Sequence, residues 1–91
     1  MNCKCLSITV EGRVQGVGFR YFTQNSARKL NIKGFVKNLT NGNVYIEACG
    51  EQDMLDEFIR LVKKGPALSH VSNLDMHKIP QQSFQDFSLK V

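Results

Sequence analysis

The order of the secondary-structure signals predicts an α+β fold, a ferredoxin-like two-layer sandwich: an antiparallel sheet with two helices on one face. Two stretches carry apolar residues at helical spacing and five short stretches read as strands; their order is β-α-β-β-α-β with one extra strand. Leu6, Ile8 and Val10 alternate with Ser7, Thr9 and Glu11, which marks a strand with one buried face. Gly12 to Gly18 is a glycine-rich break. From Phe19 onward, Phe19, Phe22, Ser26 or Ala27, and Leu30 recur on one helical face. Gly34 to Leu39 reads as a second strand. Asn41-Gly42 signals a hairpin leading to Val44, Ile46 and Ala48, which alternate with Tyr45, Glu47 and Cys49.

The second helix is the clearest element. Leu55, Phe58, Ile59 and Val62 fall at i, i+3, i+4 and i+7, and Lys63-Lys64-Gly65-Pro66 closes the helix. Basic side chains there complement the last carbonyls, glycine permits the reversing turn, and proline cannot continue the helix. Strands follow over 70–78 and 84–91, the latter ending with period two at Phe87-Ser88-Leu89-Lys90-Val91.

A chain of 91 residues, 42% hydrophobic and 22% charged, is read as a single domain spanning 1–91. At this size roughly 62–65% of the unfolded surface is buried, enough for one core. No apolar run approaches the roughly 18 residues of a membrane span. Met-Asn-Cys-Lys-Cys-Leu-Ser reaches the first strand without an apolar signal core. The expectation is a cytoplasmic monomer that engages no membrane.

Charge is unevenly placed. Lys4, Arg13, Arg20, Arg28, Lys29, Lys33 and Lys37 face Glu11 alone in residues 1–46, while residues 47–91 carry a net −2. A basic half beside an acidic half suggests an anionic partner for the first half, nucleic acid or a small phosphate compound. Charge does not choose between them.

Cys3, Cys5 and Cys49 make no disulfide framework and lack the paired spacing and fourth ligand of a zinc site. Thr9, Glu11 and Leu55 stand six positions after them, where a cysteine-based phosphatase needs arginine. In this fold the first and third strands are antiparallel neighbours, and Cys5 and Cys49 share the parity that faces away from the helices. They can therefore approach each other; a reducing compartment predicts free thiols all the same.

Gly12-Arg13-Val14-Gln15-Gly16-Val17-Gly18-Phe19-Arg20 joins a strand to a helix. Glycines permit the positive-φ turns that aim successive N–H groups into one concavity, and the helix N-terminus adds unpaired N–H groups and a positive dipole end. Arg20, in the first helical turn, can fork onto two oxygens of one phosphate. An anion cradle is the direct reading. The loop lacks a Gly-Lys-Ser/Thr ending, and Tyr21 stands where a dinucleotide fingerprint needs its third glycine. If the first two strands are parallel in direction, Asn38 ends beside the cradle. Asparagine is no base at neutral pH, but its carboxamide can orient a water molecule; it is equally a common turn former. Position alone leaves both roles open.

Residues 12–20, together with Gly34-Phe35-Val36-Lys37-Asn38 continuing through Gly42-x-Val44 to Gly50, resemble the two signatures of the acylphosphatase family, without gaps and in the right order. The resemblance implies hydrolysis of an acyl phosphate to a carboxylate and inorganic phosphate, the latter also a competitive inhibitor. It implies that Arg20 and the backbone N–H groups of Gln15, Gly16, Val17, Gly18, Phe19 and Arg20 bind the phosphoryl group, and that Asn38 positions the attacking water. It implies no metal and no cofactor, the substrate's own phosphate accepting the water's proton.

Other residues are set aside. His70 and His77 fall on opposite strand faces without companions, and Asp53, Asp56 and Glu57 flank Arg60 at helical spacing as a solvated face. An RNA-binding module shares the element order, and Lys33-Gly34-Phe35 begins like its aromatic motif. That motif belongs on the third strand and continues with further aromatics, whereas Ser7, Thr9, Tyr45 and Glu47 occupy the outward positions here. Nucleic acid is therefore not the expected partner. A non-catalytic phosphate sensor shares the cradle, but would not need Asn38.

Overall fold

Alternating apolar residues sort the strand side chains onto two faces, and the apolar stripes of two helices close over one of them. The computed structural model describes residues 3–91. Its elements are β1 (Cys3–Arg13), α1 (Phe19–Lys29), β2 (Lys33–Asn38), β3 (Val44–Glu51), α2 (Gln52–Lys64), β4 (His70–Ile79) and β5 (Phe87–Leu89). The five strands form one sheet in the order β4-β1-β3-β2-β5. Ile8, Val10, Val36, Val44, Ile46 and Ala48 are fully buried on the helix side, with Phe19, Ala27, Leu55, Phe58 and Val62 of the helices. The α2 stripe lies where its spacing predicts, with Lys63 and Lys64 in the last turn.

Four strands pair antiparallel, β4 with β1, β1 with β3 and β3 with β2. The extra strand differs: β5 adds to β2 in parallel. Ile79 at the end of β4 pairs with Cys5 at the start of β1, the sheet end at which β2 also begins. Residues 80–86 cross the sheet there, so β5 can only run in the direction of β2. The strand expected over 84–91 is thereby shortened to Phe87–Leu89, because the residues before it are used in the crossing. Asp86 anchors the crossing. The Phe87 N–H and then the Arg28 guanidinium hold its carboxyl below the ordinary value.

The outer face is not a stacking platform. Phe35 is only 9% exposed, because Phe84 of the crossing segment meets it edge-on at 5.9 Å and Lys90 Nζ sits 4.1 Å from its ring centre. Tyr45 Oη donates to Glu47 Oε2 at 2.7 Å, and burial together with that carboxylate pushes the phenol pKa up.

Cys5 and Cys49 form a disulfide, which corrects the expectation of free thiols. The register sets the two residues directly opposite each other with Cα atoms 4.1 Å apart, and both are buried; Cys3 remains a free, exposed thiol. Local pairing, which parity revealed, here outweighs the compartment argument. Reduction should lower the unfolding free energy by about 4 kcal/mol, since the bond restricts the unfolded chain over a separation of 44 residues. Denaturant melts with and without reductant measure this, and a Cys5→Ser/Cys49→Ser variant should melt like the reduced protein. An unchanged midpoint would show that the bond contributes nothing.

Candidate active site

The glycine loop is held at both ends by core side chains and braced from the side. Val14 and Phe19, each 1% exposed, anchor it in the core, and half-buried Val17 packs against the same cluster. Gln15 Nε2 donates to the carbonyls of Leu39 at 2.7 Å and Asn43 at 2.8 Å, which ties the loop to the β2–β3 hairpin. Gly16 (φ 75°) and Gly18 (φ 79°) are left-handed, a conformation costly for other residues. The space where their Cβ atoms would lie is open. Gly18 is the N-cap of α1, and no side chain caps that helix. The N–H groups of its first turn therefore lack intrahelical partners, and the positive dipole end faces the same way.

Gly16, Gly18, Phe19 and Arg20 line one open concavity of about 180 Å³ together with Val14, Tyr21 and Asn38. The structure thus brings the loop, the helix start, the arginine and the asparagine to one place. The side chain of Gln15 is turned to the hairpin, and Val17 is turned to the core. Arg20 is half-buried, and its Nη1 donates to the carbonyl oxygen of Lys90 at 2.7 Å. Asn38, the last residue of β2, follows Val36 on the helix-facing side of the strand. Its Oδ1 is buried and has no hydrogen-bond partner among the described residues.

The role of turn former falls to another asparagine. Asn41 Oδ1 accepts the Asn43 N–H at 3.0 Å, and the hairpin is closed by backbone bonds between Leu39 and Asn43 and between Gly42 and Leu39. No carboxylate or histidine lines the concavity. His70 and His77 are exposed, with His77 Nε2 3.2 Å from Asp75. Arg60 forks onto Glu57 on the solvent face of α2 and draws that carboxyl below its ordinary value. Among the described residues, no cluster of three or more His, Cys, Asp or Glu side chains is placed to hold a metal ion. A larger concavity of about 300 Å³ lies at the other end of the sheet, beside Cys49 and Phe84, and is lined by neither the glycine loop, Arg20 nor Asn38.

Sequence reasoning misses the Lys90 carbonyl, because a backbone acceptor leaves no mark in residue type. It also misses Tyr21, 68% exposed at the rim, whose only signal is its place beside Arg20. Deleting Lys90 and Val91 should free the Arg20 guanidinium from its acceptor and raise the inhibition constant of inorganic phosphate roughly 2- to 10-fold, the worth of one ordinary hydrogen bond. Phosphate titration of the shortened chain checks this, and unchanged affinity would show that Arg20 needs no such support.

Comparison with known proteins agrees with this fold. The acylphosphatase family model matches residues 6–89. The chain is 50% identical over 84 residues to the acylphosphatase of Archaeoglobus fulgidus, covering 92% of this chain and 94% of that one. It is 44% identical over 87 residues to that of Thermotoga maritima, covering 96% and 97%. The structure of an acylphosphatase from Coxiella burnetii superimposes with a TM-score of 0.94 at 37% identity, covering 98% of this chain and 94% of that one. Matched along nearly its whole length in sequence and in fold, the chain belongs to the acylphosphatase family, hydrolases that act on acid anhydrides.

Proposed function

We propose that the protein hydrolyses the carboxyl–phosphate bond of small acyl phosphates, with the phosphoryl group bound by backbone N–H groups of residues 15–20 and by Arg20, and water positioned by Asn38. One observation carries this reading. Glycine backbone at a helix start, a guanidinium and a carboxamide line one concavity that, among the described residues, contains no carboxylate or histidine.

Such a set suits an activated anhydride. The phosphoryl group carries its charge on equatorial oxygens, which N–H donors and a planar guanidinium stabilise without moving. The carboxylate leaves without needing a proton donor. Water attacks phosphorus as the P–O bond to the acyl oxygen breaks, and the water's proton passes to a phosphoryl oxygen of the substrate. An acyl phosphate dianion and water thus give a carboxylate and dihydrogen phosphate. Holding the water in line turns a bimolecular encounter into a positioned one, the larger part of what a site without a base can supply. Inorganic phosphate, the product, occupies the same cradle and competes.

The experiment compares benzoyl phosphate with phenyl phosphate. Rapid hydrolysis of the anhydride and little of the ester is expected, because the ester's leaving group needs a proton that no residue here supplies. Comparable rates on both would require a general acid and contradict the reading.

A further inference from the structure

Tyr21 is set apart from the other aromatic side chains. The chain has six phenylalanines and two tyrosines. Seven of these rings pack against one another: Phe19 with Phe22, Phe35 with Tyr45 and Phe84, and Phe58 with Phe87. The ring of Tyr21 joins none of these pairs among the described residues. It is 68% exposed, and Tyr21 lines the concavity that holds Arg20 and Asn38. A single aromatic ring on a protein surface calls for no explanation by itself. Two further observations give this one a role.

The first is its place on α1. Tyr21 stands in the first turn, just after the N-cap Gly18, and helical side chains lean towards the helix N-terminus. That end of α1 belongs to the cradle. The second is what the rest of the concavity offers. Val14 and Phe19 are each 1% exposed and face the core, while Gly16 and Gly18 have no side chain and open space beside them. Arg20 and Asn38 are polar. Among the described lining residues, Tyr21 therefore supplies the broad apolar surface that a ligand can reach, next to a shelf of bare glycine backbone. The phosphoryl group of a bound acyl phosphate engages the N–H donors and Arg20. Its acyl group is left to lie over the open glycines, at the rim where Tyr21 stands.

We propose that Tyr21 is a specificity-determining residue: its ring packs against the acyl group and favours flat aromatic acyl phosphates over short aliphatic ones. An aromatic acyl group extends far enough from the carbonyl to meet the ring, offset or edge-on, and the contact removes apolar surface of both from water. An acetyl group ends at one methyl and leaves the ring in solvent. The acyl side chain does not change as the P–O bond breaks, so the contact is equally strong before and during transfer. It therefore acts on KM and not on kcat. The inference rests on the proposed hydrolysis at this concavity and adds to it the class of acyl group that is preferred.

The test measures kcat and KM for benzoyl phosphate and for acetyl phosphate, with inhibition by inorganic phosphate, in wild type, Tyr21→Ala and Tyr21→Phe. Tyr21→Ala should raise the KM for benzoyl phosphate roughly 3- to 10-fold, the worth of one aromatic contact, with kcat changed by less than about twofold. The KM for acetyl phosphate and the phosphate inhibition constant should each move by less than about twofold, because neither ligand reaches the ring. Tyr21→Phe should keep the wild-type preference, since the ring and not the hydroxyl makes the contact. Equal rises in KM for the two substrates would overturn the proposal, as would a benzoyl phosphate KM that Tyr21→Ala leaves untouched. So would a Tyr21→Phe variant that behaves like Tyr21→Ala, whereas hydrolysis of neither substrate by wild type would overturn the reading beneath it.

Discussion

Arg20→Ala is expected to abolish phosphate binding and to lower kcat/KM roughly 1,000-fold or more. Among the described residues Arg20 is the only cation lining the concavity, and the other donors there are neutral. A charge-assisted, two-pronged contact to a phosphate is worth about 3 kcal/mol in binding, and charge developing on the equatorial oxygens adds to this during transfer. The fold should survive. Arg20 is half-buried, and its hydrogen bond is to a tail carbonyl, outside the core. Arg20→Lys should recover little, because an ammonium cannot hold two phosphate oxygens and the Lys90 carbonyl in one plane. Benzoyl phosphate kinetics with a phosphate inhibition series read both effects. Competitive inhibition by inorganic phosphate that survived Arg20→Ala would contradict the assignment of the cradle.

Asn38→Ala separates chemistry from binding. The carboxamide acts on the water and not on the phosphoryl group, so its loss should leave the phosphate inhibition constant within about twofold while kcat falls roughly 100-fold or more. Stability offers a second readout. Asn38 Oδ1 is a buried acceptor without a partner among the described residues, so removing it should leave the thermal midpoint unchanged or higher. A strong fall in the midpoint with kcat per folded molecule intact would assign Asn38 to the hairpin instead. The bonds made by Asn41, Leu39 and Gly42 already satisfy that turn.

Much of this was legible in the sequence because local rules and the fold agree. The β1 alternation, the α2 stripe with its Lys-Lys-Gly-Pro ending and the Asn41-Gly42 turn each state their own structure. The meeting of the glycine loop and Asn38 followed from the element order alone, since β1 and β2 run in the same direction on either side of β3. What was not legible depends on long-range register or on backbone atoms. The parallel docking of β5 is dictated by where β4 ends, and periodicity does not report that. Arg20 is oriented by a carbonyl 70 residues away. Thr23 is polar and so falls outside an apolar pattern, although it is as buried as Phe58. For Cys5 and Cys49, strand parity pointed the right way and the expectation from redox compartment pointed the other.

The most direct test is hydrolysis of benzoyl phosphate in the presence of EDTA, measured for wild type and Asn38→Ala alongside phosphate binding to each. Rapid metal-independent turnover by wild type, lost in Asn38→Ala with phosphate affinity retained, is the predicted result. Saturable phosphate binding by wild type with no turnover would contradict it, leaving a cradle that binds phosphate and performs no chemistry.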